Sequence, residues 1–254
     1  MLLEGKKGLV LNVTNKNSIG WAIADAANKH GATVGIGGQN ERLMEGVYKL
    51  IDGRERFDPF TIDFSDQAQF ELLAEQVAEK YGKIDFLVHS VGFAPKTALN
   101  GRFIDTTLED FQIAMNISAY SLCRLCQALE PLLNDDASVV TLSYLGSTRA
   151  LKNYNVMGVC KAALESTVRY LALDLGERGI RVNTLSPGPV NTISGRGVTG
   201  LSDMIKTVHD RAALKRPYGQ EEVATSAVYL LSDLSRCVTG QIIFIDSGYT
   251  IVGM

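Results

Sequence analysis

Runs of five or six aliphatic and aromatic residues alternate along the chain with longer stretches in which apolar positions recur every three or four residues. The first pattern belongs to strands buried on both faces, the second to amphipathic helices. It predicts strands at 8–13, 33–37, 57–62, 84–89, 138–142, 181–185 and 241–245, and helices at 18–29, 41–51, 66–81, 107–133, 154–177, 200–213 and 221–232. Strand and helix take turns from end to end. The expected fold class is therefore α/β: a single-domain doubly wound (Rossmann) parallel seven-stranded sheet with helices on both faces. No internal repeat, low-complexity run or linker divides the 254 residues, so one domain over 1–254 is expected.

Composition narrows the function classes. Hydrophobic residues make up 46% of the chain, both charge signs are interspersed, and the net charge is −3. Nucleic-acid binding would want a basic patch, which this balance argues against. There is no run of about 18 apolar residues to span a membrane, and Met1 leads almost directly into a strand without a charged-then-apolar leader. A cytoplasmic protein is expected. Cys123 and Cys126 form a C-x-x-C, but within the apolar pattern of a helix and with no second pair; with Cys160 and Cys237 they are read as packing residues. His30, His89 and His209 lack ligand spacing, so no metal is expected.

Doubly wound folds bind ligands beyond the carboxyl ends of their strands, and the residues there form a coherent set. After the first strand a polar turn from Asn12 to Gly20 enters a helix whose amides could hold a pyrophosphate. Then come Gln39 and Asn40, Asp63, Ser90 to Gly92, Ser143 and Tyr144, and Ser186 to Pro189. Asp63 has a second reading as the N-cap of the helix at 66. Tyr154 and Lys161 are seven residues apart, two helical turns, so a helix starting near Tyr154 sends both from one face. A phenol and an ammonium on a rigid element are what a carbonyl-polarising acid and its electrostatic partner require.

The segments 88–95, 142–146, Asn153-Tyr154-Asn155-Val156-Met157-Gly158 with Lys161, and 186–190 resemble the bacterial enoyl-[acyl carrier protein] reductases of the short-chain dehydrogenase/reductase superfamily. The similarity runs from Gly5 to the closing Asp246-Ser247-Gly248-Tyr249. The resemblance implies reduction of the trans-2 double bond of enoyl-[acyl carrier protein] thioesters by hydride from NADH, a last step of fatty acid elongation. It implies Tyr154 at the thioester oxygen, Lys161 on the nicotinamide ribose with a field that makes the phenol more acidic, and Tyr144 and Ala94 lining the acyl site. For the cofactor it implies Ser18 and Ile19 at the pyrophosphate, Asp63 and Phe64 around adenine, Val91 near the ribose, and Val190 with Thr192 at the carboxamide and phosphate, with Asn12, Gln39 and Leu142 also among the cofactor-binding positions. It further implies a lid at about 191–213, an acyl carrier protein as partner, and a homotetramer. Gln39 and Asn40 stand where such folds choose their cofactor. They offer neither an acid for two ribose hydroxyls nor a base for a 2′-phosphate, and NADH is favoured over NADPH.

Spacing separates subfamilies. Carbonyl-reducing relatives place the tyrosine four residues before the lysine and a serine thirteen before that tyrosine; here those positions hold Met157 and Tyr144. The chain also departs from the resemblance. Asn12 replaces a glycine, although asparagine is the residue that best tolerates a left-handed conformation after glycine. Thr199, Ser202 and Asp203 stand where basic residues for the carrier protein are usual, with Arg196 and Lys206 remaining. Asn116 stands at a position functional in carbonyl-reducing relatives, and reads equally as a helix-kinking residue. Two alternatives stay open: a carbonyl reductase or alcohol dehydrogenase of the same superfamily, and a non-catalytic nicotinamide-binding regulatory protein.

Overall fold

Neighbouring residues of a strand face opposite ways, and in the central strands of this chain both faces are apolar. The computed structural model, which describes residues 1–192, 195, 200–216 and 218–253, gathers Leu9, Leu87, Val139 and Val182 into one core. Val10, Val88, Val140 and Leu185 enter a second core on the other face. The strands are β1 (Lys7–Leu11), β2 (Thr33–Gly38), β3 (Phe57–Thr61), β4 (Ile84–His89), β5 (Leu133–Leu142), β6 (Arg181–Pro187) and β7 (Ile242–Ile245). All pairings are parallel, in the order β3-β2-β1-β4-β5-β6-β7. The order reverses between β1 and β4, which opens a ligand crevice beyond their carboxyl ends.

The described helices are α1 (Ile19–Lys29), α2 (Glu41–Ile51), α3 (Ala68–Tyr81), α4 (Lys96–Leu99), α5 (Leu108–Met115), α6 (Ser121–Leu129), α7 (Val156–Leu175), α8 (Leu201–Arg211) and α9 (Gln220–Leu231). The first core is closed by α3, α6 and α7, the second by α1, α2 and α9. Each fully buried aliphatic side chain in them contributes roughly 1.5–3 kcal/mol. Ser18 and Asn40 cap α1 and α2, their side chains accepting from the Trp21 and Leu43 amides at 3.1 Å each.

The boundaries differ from the periodic pattern where backbone chemistry intervenes. β1 stops at Leu11, because Asn12 turns left-handed (φ 65°). The expected helix at 107–133 is interrupted by a π turn at Asn116–Tyr120 and ends at Leu129, beyond which Glu130–Leu132 is a 3-10 turn. Pro131 has no N–H to continue the α ladder. Leu133 already belongs to β5, pairing with Ile84 before a register shift that brings Ser138 opposite Phe86. The helix expected from Asp66 starts at Ala68, and the one expected from Tyr154 starts at Val156, behind Asn155 at φ 39°. No described helix is long and apolar enough to cross a membrane.

Candidate active site

The turns after β1 and β4 meet at the crevice between these strands. Asn12 leaves β1 left-handed, and its side-chain amide donates to the Ser90 carbonyl at 3.0 Å, joining the ends of β1 and β4. The turn thus survives the loss of glycine, and the side chain is directed to β4. Ser18 donates to Asn15 O at 2.8 Å, which presents the first-turn amides of α1 at Ile19 and Gly20 to the crevice. Gly20 packs so close that a Cβ there would lie 3.3 Å from Ser90 Oγ.

At the far end Gln39 follows β2 and donates to Asp63 at 3.3 Å. Asp63 does not cap α3: Oδ1 accepts the Ser65 amide at 2.9 Å and the Ser65 hydroxyl at 2.7 Å, closing a local turn. Partial burial works against its charge, but the bonds from Ser65 and Gln39 hold its carboxyl below the usual range. Phe64 beside it is buried, edge-on to the His89 ring. Leu142 ends β5, and Val91, Ala94, Val190 and Thr192 lie beyond the carboxyl ends of β4 and β6.

The second half is built on β5 and α7. Lys161, buried in α7, donates to the Leu142 carbonyl at 2.8 Å. An ammonium has three donors, so others remain for a ligand hydroxyl. Gly92 leaves the way open, since even a Cβ there would stand 3.6 Å from Lys161 Nζ. Burial pulls the ammonium down to about 8, with Cys160 and Glu165 opposing. Tyr154 precedes the helix instead of starting it; the strained Asn155 after it is anchored by its amide to the Leu99 and Gly101 carbonyls at 3.2 and 3.3 Å. The Tyr154 ring meets that of Tyr144 edge-on, centroids 5.0 Å apart. Burial first, then Tyr144, Cys160 and Glu165, push the Tyr154 phenol above its ordinary value. Burial thus favours the protonated phenol, which can donate a hydrogen bond.

Several supporting residues escaped the sequence reading. Ser118, set inward by the π turn that begins at Asn116, holds both backbone groups of Phe93, accepting from N at 2.8 Å and donating to O at 2.7 Å, and so fixes the loop that carries Ala94. Gln220, the first residue of α9, donates to Asn17 O at 2.7 Å and Asn191 O at 3.1 Å, bridging the phosphate turn and the turn after β6. Glu165 is an acid buried among the apolar residues of α7, the one signal the sequence offered for it. Of the expected lid, residues 193, 194 and 196–199 lie outside the described residues, Arg196 and Thr199 among them. The described part, α8, carries Ser202, Asp203 and Lys206 exposed. Among the described residues no three His, Cys, Asp or Glu side chains gather as a metal site, and Cys126 is packed in the core, its thiol pushed up by burial to about 12.

A family model described as "Enoyl-(Acyl carrier protein) reductase" matches residues 13–250. The enoyl-[acyl-carrier-protein] reductase [NADH] of Rickettsia typhi is 44% identical over 252 residues, 99% of this chain and 97% of that protein. Its counterpart from Synechocystis is 43% identical, with 99% of each covered. Among solved structures, the Bacillus cereus enoyl-acyl carrier protein reductase with NADP+ and an indole naphthyridinone superposes with a TM-score of 0.97 at 40% identity, covering 100% of this chain and 99% of that one. The NADH-linked Aquifex aeolicus enzyme gives 0.96 at 38% identity, with 100% of both covered.

Proposed function

The chain belongs to the enoyl-[acyl carrier protein] reductases, and from that membership we propose how its own residues divide the work. The reaction is reduction of the trans-2 double bond of enoyl-[acyl carrier protein] thioesters, with NADH as reductant. Bound NADH would supply hydride to the β-carbon, moving negative charge onto the thioester oxygen until a proton taken up at the α-carbon completes the reduction. Tyr154, protonated, donates a hydrogen bond to that oxygen where charge develops. Lys161 holds the ribose hydroxyls and adds its positive charge, and Tyr144 closes the pocket against Tyr154. Ala94, on the loop pinned by Ser118, borders the acyl chain.

The crevice suits a dinucleotide. Ser18 and Ile19, with Asn12 before them, would hold the pyrophosphate at the α1 N-terminus; Gln39, Asp63 and Phe64 would hold the adenosine; Val91 and Leu142 would flank the ribose; Val190 and Thr192 would take the carboxamide and phosphate. The neutral Gln39 and the carboxylate of Asp63 beside it disfavour a 2′-phosphate. The observation that carries this assignment is the Tyr144–Tyr154 ring contact beside the anchored Lys161, which no carbonyl-reducing spacing would give.

We further assign 1–254 as one domain with a cover over the acyl site at 191–213, since Val208 of α8 lines a pocket with Tyr144. Val159, Tyr170 and Leu173 of α7 and Tyr120 are exposed apolar residues on helices, which supports a homotetramer, readable by light scattering. The assigned compartment is the cytoplasm. Loss of nicotinamide absorbance with crotonyl thioester tests the function, with NADH and NADPH compared and a small ketoester in parallel. Oxidation of NADH by the enoyl substrate alone is expected, lost about a hundredfold in Y154F; turnover of the ketoester alone would move the chain to the carbonyl-reducing branch.

A further inference from the structure

Glu165 lies one helical turn beyond Lys161, so both leave the same face of α7, and both are buried, at 5% and 6% exposure. The carboxylate bonds to the Ser143 hydroxyl at 2.5 Å instead of to the ammonium. Ser143 occupies a particular place. Its predecessor Leu142 offers the carbonyl that anchors Lys161, and its successor Tyr144 carries the ring that meets Tyr154. Its own amide donates to Leu185 O at 2.8 Å, which fixes the segment to β6.

We propose that Glu165 is a positioning residue of this site, rigidly holding through Ser143 the 142–144 segment on which Lys161 and Tyr144 depend, and compensating the buried ammonium with its charge. The proposal rests on the assignment of Lys161 and Tyr154 given above. The groups facing Lys161 leave Glu165 with this task. His89 of β4 is neutral, its ring pushed by burial down to about 3. The Cys160 thiol is pushed up by burial to about 11, Tyr144 likewise to about 12, and Tyr154 is raised as well. None of these four carries charge at neutral pH.

Two substitutions separate position from charge. In E165Q the amide oxygen still accepts from Ser143, but the charge is gone. In S143A the charge stays and the tether is gone. NADH affinity is followed by fluorescence titration from pH 6 to 10, in parallel with kcat. Wild-type affinity should fall above about pH 8 as Lys161 loses its proton. E165Q should move that midpoint down by about one unit, and S143A should leave it in place while lowering kcat about tenfold. An unmoved midpoint in E165Q, or wild-type kcat in S143A, overturns the proposal. Should E165Q not fold, E165D keeps the charge, shortens the reach, and must behave as S143A does; wild-type behaviour there overturns it equally. K161M is the control for the underlying assignment: if it binds NADH with wild-type affinity and pH dependence, the placing of Lys161 fails, whatever Glu165 does.

Discussion

The side-chain amide of Asn12 reaches across the crevice to the carbonyl of Ser90, 3.0 Å away, and it does so from a left-handed backbone. The residue thus meets two demands: it accepts φ 65° with little strain, and it ties β1 to β4 at the point where strand order reverses. N12G keeps the first and loses the second, at about 1 kcal/mol of unfolding free energy. N12A loses both and should cost about 2 kcal/mol. Urea unfolding of the three proteins checks the ranking; equal stability of N12A and wild type would deny the tie any weight.

Gln220 acts at a distance from the reacting atoms. Its amide touches two backbone carbonyls on opposite sides of the cofactor crevice, so its loss should loosen the pocket and leave the chemistry intact. Q220A should raise the NADH dissociation constant about tenfold, with kcat at saturating NADH unchanged. A fall in kcat without a change in affinity would place Gln220 elsewhere in the mechanism.

Gly146 sits against the Tyr154 ring, and a methyl group added there would overlap it. Gly158, one turn into α7, faces the Gly146 carbonyl with the same closeness, a Cβ there lying 2.7 Å from it. G146A therefore has to displace the phenol, since the backbone opposite has no room to yield. An expected loss in kcat of about a hundredfold, with NADH affinity retained, is read from steady-state kinetics and a fluorescence titration.

The sheet was legible because it writes itself in residue type and period, whereas Tyr154, expected to open the helix that carries Lys161, stands before it. Leu9 beside Val10 and Leu87 beside Val88 announce strands with two buried faces. What stayed hidden has no period. The π turn at Asn116–Tyr120 adds no new residue type, yet it rotates Ser118 onto Phe93. The bonds of Ser143 to Glu165 and of Gln220 to Asn17 join residues 22 and 203 positions apart, distances no local pattern spans. The burial that raises the Tyr154 phenol is hidden for a related reason, since it depends on what packs around the ring.

His89 makes the pH dependence of folding specific. Its Nδ1 lies 2.9 Å from Thr141 Oγ1 and its Nε2 2.8 Å from Ser121 Oγ, fully buried. Ser121 gives its own proton to Ile117 O at 2.7 Å, so it accepts from Nε2–H. Thr141 then turns its proton to Nδ1 and gives up its 3.2 Å contact with His89 O, since a hydroxyl has one proton to donate. The ring is thus neutral with its proton on Nε2, and burial lowers it from 6.5 to about 3. The unfolded chain binds this proton more readily, so the stabilisation is complete above pH 6.5 and lost as pH falls towards 3. Between pH 7 and pH 4 the loss should be about 3 kcal/mol. Of the carboxylates lowered in the fold, Asp25, Asp63, Asp105 and Asp233 start from 3.8 and Glu71 from 4.5, so they add to the decline only near the lower end of that window. Urea unfolding should show a steep decline in the wild type and a flatter one in H89Q, which starts less stable because its amide fits the two hydroxyls poorly. Parallel curves would mean that another group carries the slope, and a nitrogen spectrum with the proton on Nδ1 would reverse the assignment of the two bonds.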